Sequence, residues 1–184
     1  MDQMSGWTGK LVRLRGVEPG DWEAHWQWDQ DWELFRRLDR VYFPRSRVGT
    51  QRWAEQAALQ DAAGENYHCE IETLAGELVG SIAAHQCDAR VGSYSHGIAI
   101  LPEHQRKGYA SEAILLLARY FFDELRYQKV NAPVYSFNEP SIKLHESLGF
   151  QLEGRQRRMV YTNGQHHDLL WYGMTVEEFA ARRP

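Results

Sequence analysis

Between Ile98 and Ala113 the chain reads IAILPEHQRKGYASEA, and there a strand ends in a loop rich in main-chain donors and a helix begins. At Gln105, Arg106, Lys107, Gly108, Tyr109 and Ala110 the turn into the helix offers unpaired N–H groups and the positive end of the helix dipole to one point. Such a point suits a phosphate. Gly108 can take φ > 0 and let a ligand approach the backbone, Ala110 adds only a methyl group, and Arg106 and Lys107 add positive charge. The spacing is neither G-x-x-x-x-G-K-[ST] nor G-x-G-x-x-G, which sets aside the common nucleotide loops. A second chemical cluster lies in Asp21 to Trp32, where Trp22, Trp26, Trp28 and Trp32 alternate with Asp21, Glu23, Asp29 and Asp31. Acidic groups beside indole faces favour a cation; the same pattern also suits a buried stripe of Trp22 and Trp26 with solvated acids. His166-His167-Asp168 looks superficially like a metal site, but neighbours on a strand point to opposite faces. Cys69 and Cys87 are too few for a structural zinc site, so no metal is expected.

The elements that must hold these groups can be read from periodicity and turn residues. Lys10 to Arg15 alternates as a half-buried strand, and Asp21 is the expected N-cap of a helix running toward Arg37. Thr50 to Asp61 reads as a helix capped by Thr50. Tyr67 to Thr73 and Glu77 to His85 read as a hairpin turning at Ala75-Gly76, and Asp88 to Gly92 as the turn into a strand from Ser93 to Leu101. A long helical pattern runs from Gly108 to Gln128 through Ile114, Leu117, Ala118, Phe121, Phe122 and Leu125. Lys129 to Tyr135 is a short strand, Ser141 to Leu148 a two-turn helix ended by Gly149, and Gln151 to Met174 a hairpin turning at Asn163-Gly164. Antiparallel strands followed by a strand, helix, strand unit imply an α+β, or mixed α/β, domain.

The 184 residues suit one domain spanning residues 1–184, since no repeat or linker divides them. Twenty-one Lys and Arg against 25 Asp and Glu leave a formal charge of -4, which offers no global pull toward nucleic acid or anionic membrane. The apolar run Ala113 to Ala118 falls far short of the roughly 20 residues of a membrane span, and Met1 to Lys10 carries no apolar signal region. A cytoplasmic protein with free thiols is expected.

A second segment stands at the right distance from the phosphate-type loop: Asn138-Glu139-Pro140-Ser141-Ile142-Lys143-Leu144-His145-Glu146-Ser147-Leu148-Gly149-Phe150. Together the two resemble the GNAT superfamily of acyl-coenzyme A dependent N-acyltransferases. Gln105 to Ala110 matches that family's Q/R-x-x-G-x-G/A pyrophosphate loop, and Asn138 to Phe150 resembles its N-x-x-[AS]-x-x-[LF]-[YH]-x-x-x-G-F segment. The closing stretch through Asp168 is similar to the branch holding the ribosomal-protein N-terminal and polyamine acetyltransferases. The resemblance implies a central, mostly antiparallel twisted sheet with a splayed strand pair, flanked by about four helices. It also implies acetyl-coenzyme A as co-substrate, with Ile98 and Ile100 pairing their main chain to the pantetheine arm, the loop holding pyrophosphate, and Asn138 and Ser141 bonding the pantetheine end.

Many family members place a Tyr proton donor four residues before the Gly of the G-F pair, where this chain has His145. His145 therefore takes the donor role by resemblance, with Ser141 as the alternative. Relatives often carry a base as the Glu of an E-x-G pattern. Here Ser95 stands in its place with His96 beside it, which leaves His96, His85, Glu72 and Asp168 as candidate bases. Trp28, Asp29 and Trp32 are the expected acceptor-binding residues. The acceptor would be a small-molecule amine or a protein N-terminus, and analogy with relatives adds a homodimer. The rival expectation is a non-catalytic module that binds acyl-coenzyme A as a sensor.

Overall fold

In a computed structural model of the chain, residues 6–38, 40–61 and 66–182 are described. β1 (Val12–Arg15) pairs antiparallel with β2 (Tyr67–Thr73), in register from Val12 opposite Thr73 to Arg15 opposite Glu70. β3 (Leu78–Asp88) follows β2 through a turn in which Gly76 has φ 89°, and β4 (Ser93–Ile100) follows a turn closed by the Gly92 amide on Asp88 O. The sequence predicts both turns, the first as a hairpin turn. The sheet continues through β5 (Lys129–Tyr135), β6 (Gln151–Thr162) and β7 (Gln165–Thr175) in the order β1-β2-β3-β4-β5-β7-β6. β4 and β5 are parallel and the ladder runs only from Ser93–Lys129 to Ser95–Asn131, so His96 and Gly97 follow the last paired residue of β4. Asn163 (φ 50°) and Gly164 (φ 75°) make the tight turn between β6 and β7.

The helices depart from expectation in instructive ways. The helix expected from Asp21 to Arg37 is two: α1 (Trp22–Trp28) and α2 (Trp32–Leu38). Asp31 interrupts it, because its Oδ1 accepts the amides of Glu33 and Leu34 and so starts a new helix. Asp21 makes no side-chain cap on α1. Its carboxylate holds Arg15 at 2.8 and 2.9 Å and accepts the Glu18 amide. No residue of α1 is fully buried, so Trp22 and Trp26 form a half-buried stripe, with the Arg47 guanidinium 4.3 Å over the Trp26 ring. α3 (Arg47–Ala58) is capped by Ser46, whose Oγ accepts the Gly49 amide, while Thr50 lies buried inside it. α4 (Tyr109–Arg119) passes into a wide turn over Tyr120–Glu124, and α5 (Glu139–Ser147) ends at Gly149 with φ 82°. α6 (Val176–Ala180) carries a reciprocal Thr175–Glu178 cap.

Two compact units make up the chain, Met1–Ala83 with Ile98–Leu116 and Ala84–Gly97 with Leu117–Pro184. The first has its core on Val12, Leu14, Ile71, Val79, Ile82 and Ile114; the second on Tyr94, Phe121, Val130, Phe150, Tyr172 and Met174. In the second, Tyr94 of β4 stacks on Phe121 at 3.8 Å between centroids, which fixes which face of β4 carries His96 two residues on. No helix among the described residues is long and apolar enough to cross a membrane.

Candidate active site

In the first unit, a short 3₁₀ turn at Pro102–His104 closes β4 and delivers Gln105 in extended conformation. Arg106 (φ 62°) and Gly108 (φ 85°) are both left-handed, so the backbone adopts that conformation twice just before α4 begins. The Glu112 amide bonds Gly108 O at 3.1 Å. The amides ahead of it are those a helix's first turn leaves without an intrahelical acceptor. Arg106 and Lys107 are exposed, and the Gln105 side chain turns back to Ile100 O at 3.1 Å. A Cβ on Gly108 would meet Leu11 Cδ1 at 3.1 Å in addition to the positive φ. The left-handed arginine was not legible in the sequence; the glycine was.

Glu112, in the first turn of α4, is the residue that sequence reasoning missed. Its Oε1 accepts the Lys10 amide, and its Oε2 those of Leu11 and Val12, all at 2.7 Å. Gly9 lies so close to this carboxylate that a Cβ there has no room.

In the second unit the three expected catalytic side chains come together. Buried His96 on β4 and buried His145 on α5 face each other with Nε2 atoms 3.1 Å apart, and His145 Nδ1 lies 2.7 Å from Ser141 O. A carbonyl oxygen only accepts, so Nδ1 of His145 carries the proton and its Nε2 is the acceptor. His96 therefore donates from Nε2, and its Nδ1 is left as an acceptor without a partner. Burial pushes both imidazoles below the usual histidine range, His96 furthest, because a proton on it would also face any positive charge on His145 or His85. The pair is neutral. Ser141 Oγ is 3.4 Å from His145 Nδ1 and half-buried. Asn138 Oδ1 accepts the Ser141 amide at 3.3 Å, so its side chain caps α5.

A neutral buried base binds no proton until it unfolds. As pH falls through the unfolded value near ~6.5 toward the lower folded values, the unfolded chain takes up protons that the folded chain refuses. Melting temperature is therefore expected to drop progressively from pH 7 to pH 5, and His96→Gln, which lacks a titrating ring, should flatten that slope. An unchanged slope would contradict the neutral assignment.

The candidate bases sort by their partners. Both oxygens of Glu72 are held by Arg13 and Arg15; burial pushes its carboxyl up, but these arginines outweigh burial and lower it. The Asp168 carboxyl is lowered by the Arg158 amide and by Arg155 Nε at 2.5 Å. His85 is half-buried and neutral, lowered by burial, and its ring makes no hydrogen bond among the described residues. A Cβ on Gly97 would lie 3.7 Å from His85 Nε2.

Around Asp29 in the first unit, Trp32, Phe35, Val41, Tyr42, Phe43 and Arg45 line one concavity. Asp29 accepts the Thr50 hydroxyl at 3.4 Å and lies 3.8 Å from Arg45 Nε; burial pushes its carboxyl up against the charges of Arg45 and His25. Trp32 is 58% exposed there. Trp28 instead packs on His25, 4.4 Å between centroids, outside that lining.

The model of the acetyltransferase (GNAT) domain matches residues 12–151. The chain is 40% identical over 177 residues to the SPbeta prophage-derived uncharacterized N-acetyltransferase YokL of Bacillus subtilis, covering 94% of each chain. It is 36% identical over 73 residues to the spermidine N(1)-acetyltransferase of Escherichia coli, covering 40% of this chain and 39% of that one. Among solved structures, the spermidine N-acetyltransferase of Vibrio cholerae in complex with CoA and spermine superposes with a TM-score of 0.81 at 21% identity, over 94% of this chain and 99% of that one.

Proposed function

The chain belongs to the GNAT acetyltransferase family and is an N-acetyltransferase; from that premise we propose that it passes the acetyl group of acetyl-coenzyme A directly to a primary amine. The acceptor amine is carried on a small molecule or a protein N-terminus. The observation that supports this best is the doubly left-handed loop at Arg106 and Gly108 ahead of α4, in the segment expected to take pyrophosphate. There the leading amides and the two flanking cations supply donors and positive charge to a phosphate ester.

The amine nitrogen attacks the thioester carbonyl, the carbon–sulfur bond breaks, and the thiolate takes up a proton. An aliphatic ammonium, with a pKa near ~10, must first lose a proton. His85 is the best supported base, because it is neutral near pH 7 and has a free ring nitrogen. For the thiolate, Ser141 is the favoured donor. Its hydroxyl is half-buried, whereas both ring nitrogens of His145 are already engaged. His145 then acts as a positioning residue. A covalent relay through Cys69 is disfavoured, since burial and the charge of Glu70 push that thiol up to about 12. Asp29 with the exposed Trp32 supports a cationic acceptor, whose ammonium would take the place Arg45 holds at 3.8 Å.

Thiol release from acetyl-coenzyme A on addition of amines tests the reading. An amine-dependent signal is expected, and a chain that binds acetyl-coenzyme A yet never releases thiol would be a sensor. On the best acceptor, Ser141→Ala should lower kcat by about 100-fold with little change in KM, and His145→Phe by less. The reverse order would move the donor role to His145.

A further inference from the structure

On the first unit, away from the phosphate-type loop, a carboxylate and two imidazoles converge on one buried point. His68 and Glu70 share a face of β2, two residues apart, and His25 comes down on them from α1. Glu70 is fully buried. Its Oε1 accepts from His25 Nε2 at 2.7 Å and lies 3.3 Å from His68 Nε2. The other oxygen, Oε2, is buried without a hydrogen-bond partner, and so is Nε2 of His68. Such orphaned buried groups cost stability unless something satisfies them. The Glu70 carboxyl is thus enclosed by two imidazoles, with one oxygen left over.

The three donor atoms lie within 4.8 Å of one another. In a tetrahedral zinc site with bonds of about 2.0–2.2 Å, donors stand about 3.3 Å apart, so an ion enters with small side-chain shifts. The rings of Trp28 and Trp53 pack on His25 at 4.4 and 4.5 Å and hold that imidazole in place, while His68 keeps 28% of its side chain exposed as a way in.

We propose that His25, His68 and Glu70 bind one divalent transition-metal ion, zinc by donor type, through two Nε2 atoms and the carboxylate, with water in the fourth position. Borderline nitrogen donors with one oxygen select zinc and its neighbours over calcium or magnesium. Entry of the ion takes the Nε2 lone pairs of neutral imidazoles, so each ring then carries its one proton on Nδ1, and the ion joins α1 to β2. Sequence reading expected no metal because two cysteines are too few for a structural zinc site; it did not register this cluster because His25 reaches His68 and Glu70 of β2 from another element, 45 residues before Glu70.

The test uses untagged full-length protein, stripped with chelator and titrated with cobalt(II) and zinc. One equivalent of cobalt with the visible absorption of a tetrahedral site is expected, and saturating zinc should raise the melting temperature by about 5 °C. His68→Gln, at a partly exposed position, should melt cooperatively yet bind more than about 100-fold more weakly. Failure to bind cobalt, or equal binding by His68→Gln with the ion then held elsewhere, overturns the proposal. The readouts are independent of acetyl transfer, so their failure would leave the proposed reaction standing.

Discussion

Replacing Gly108 by glutamate should raise the dissociation constant for acetyl-coenzyme A by at least about 100-fold in calorimetry, while far-ultraviolet circular dichroism and cooperative melting are retained. Two effects combine. A side chain at φ 85° costs about 1–2 kcal/mol, and its Cβ presses on Leu11. The larger effect is a carboxylate placed where a diphosphate would rest. At about 4 Å and an effective dielectric near 20, each like-charge pair is worth about 4 kcal/mol, more than the 100-fold requires. Gly108→Ala separates the two, since it carries the backbone strain without the charge and should retain most of the affinity. Undiminished binding by the glutamate variant would remove the phosphate assignment, and with it the proposed reaction.

Glu112→Gln should cost about 3 kcal/mol of folding stability, a fall in melting temperature of about 6–12 °C. The carboxylate takes three main-chain donors on two oxygens, at 2.7 Å each. A carboxamide has one accepting oxygen, so its NH2 group must face at least one donor of the Lys10–Val12 segment. The loss is read in chemical denaturation without ligand, and a change below about 0.5 kcal/mol would show the contacts to be incidental. Because Leu11 also touches the Gly108 position, a modest weakening of acetyl-coenzyme A binding should accompany the lost stability.

What could be read from the sequence was what is decided locally. The Asn163-Gly164 turn, the Gly149 helix stop and the Gly108 entry to α4 each follow from a residue that tolerates a conformation others resist. Helix starts were legible only in part. Ser46 and Thr50 are both good caps, and the burial of Thr50 against Asp29, a tertiary matter, gives the cap to Ser46. Asp31 likewise splits one helical pattern through a side-chain bond that periodicity does not register. The site divides along the same line. The loop residues were legible because their chemistry is contiguous, and His145 stood out by its place in a motif. That His96 would meet His145, 49 residues away, depended on the face of β4 that packs inward. Glu112 reaches 100 residues back to Val12, and no pattern near either residue announces it.

The paired left-handed residues ahead of α4 have an implication for thermodynamics. Alternating backbone handedness folds successive amides into a nest, a concave array whose shape is set by the peptide chain rather than by flexible side chains. An anion entering it would find its donors preorganised, and association would forfeit little conformational freedom. Arg106 bears a standing strain of about 1 kcal/mol or more to hold that shape, a debt settled when the protein folds.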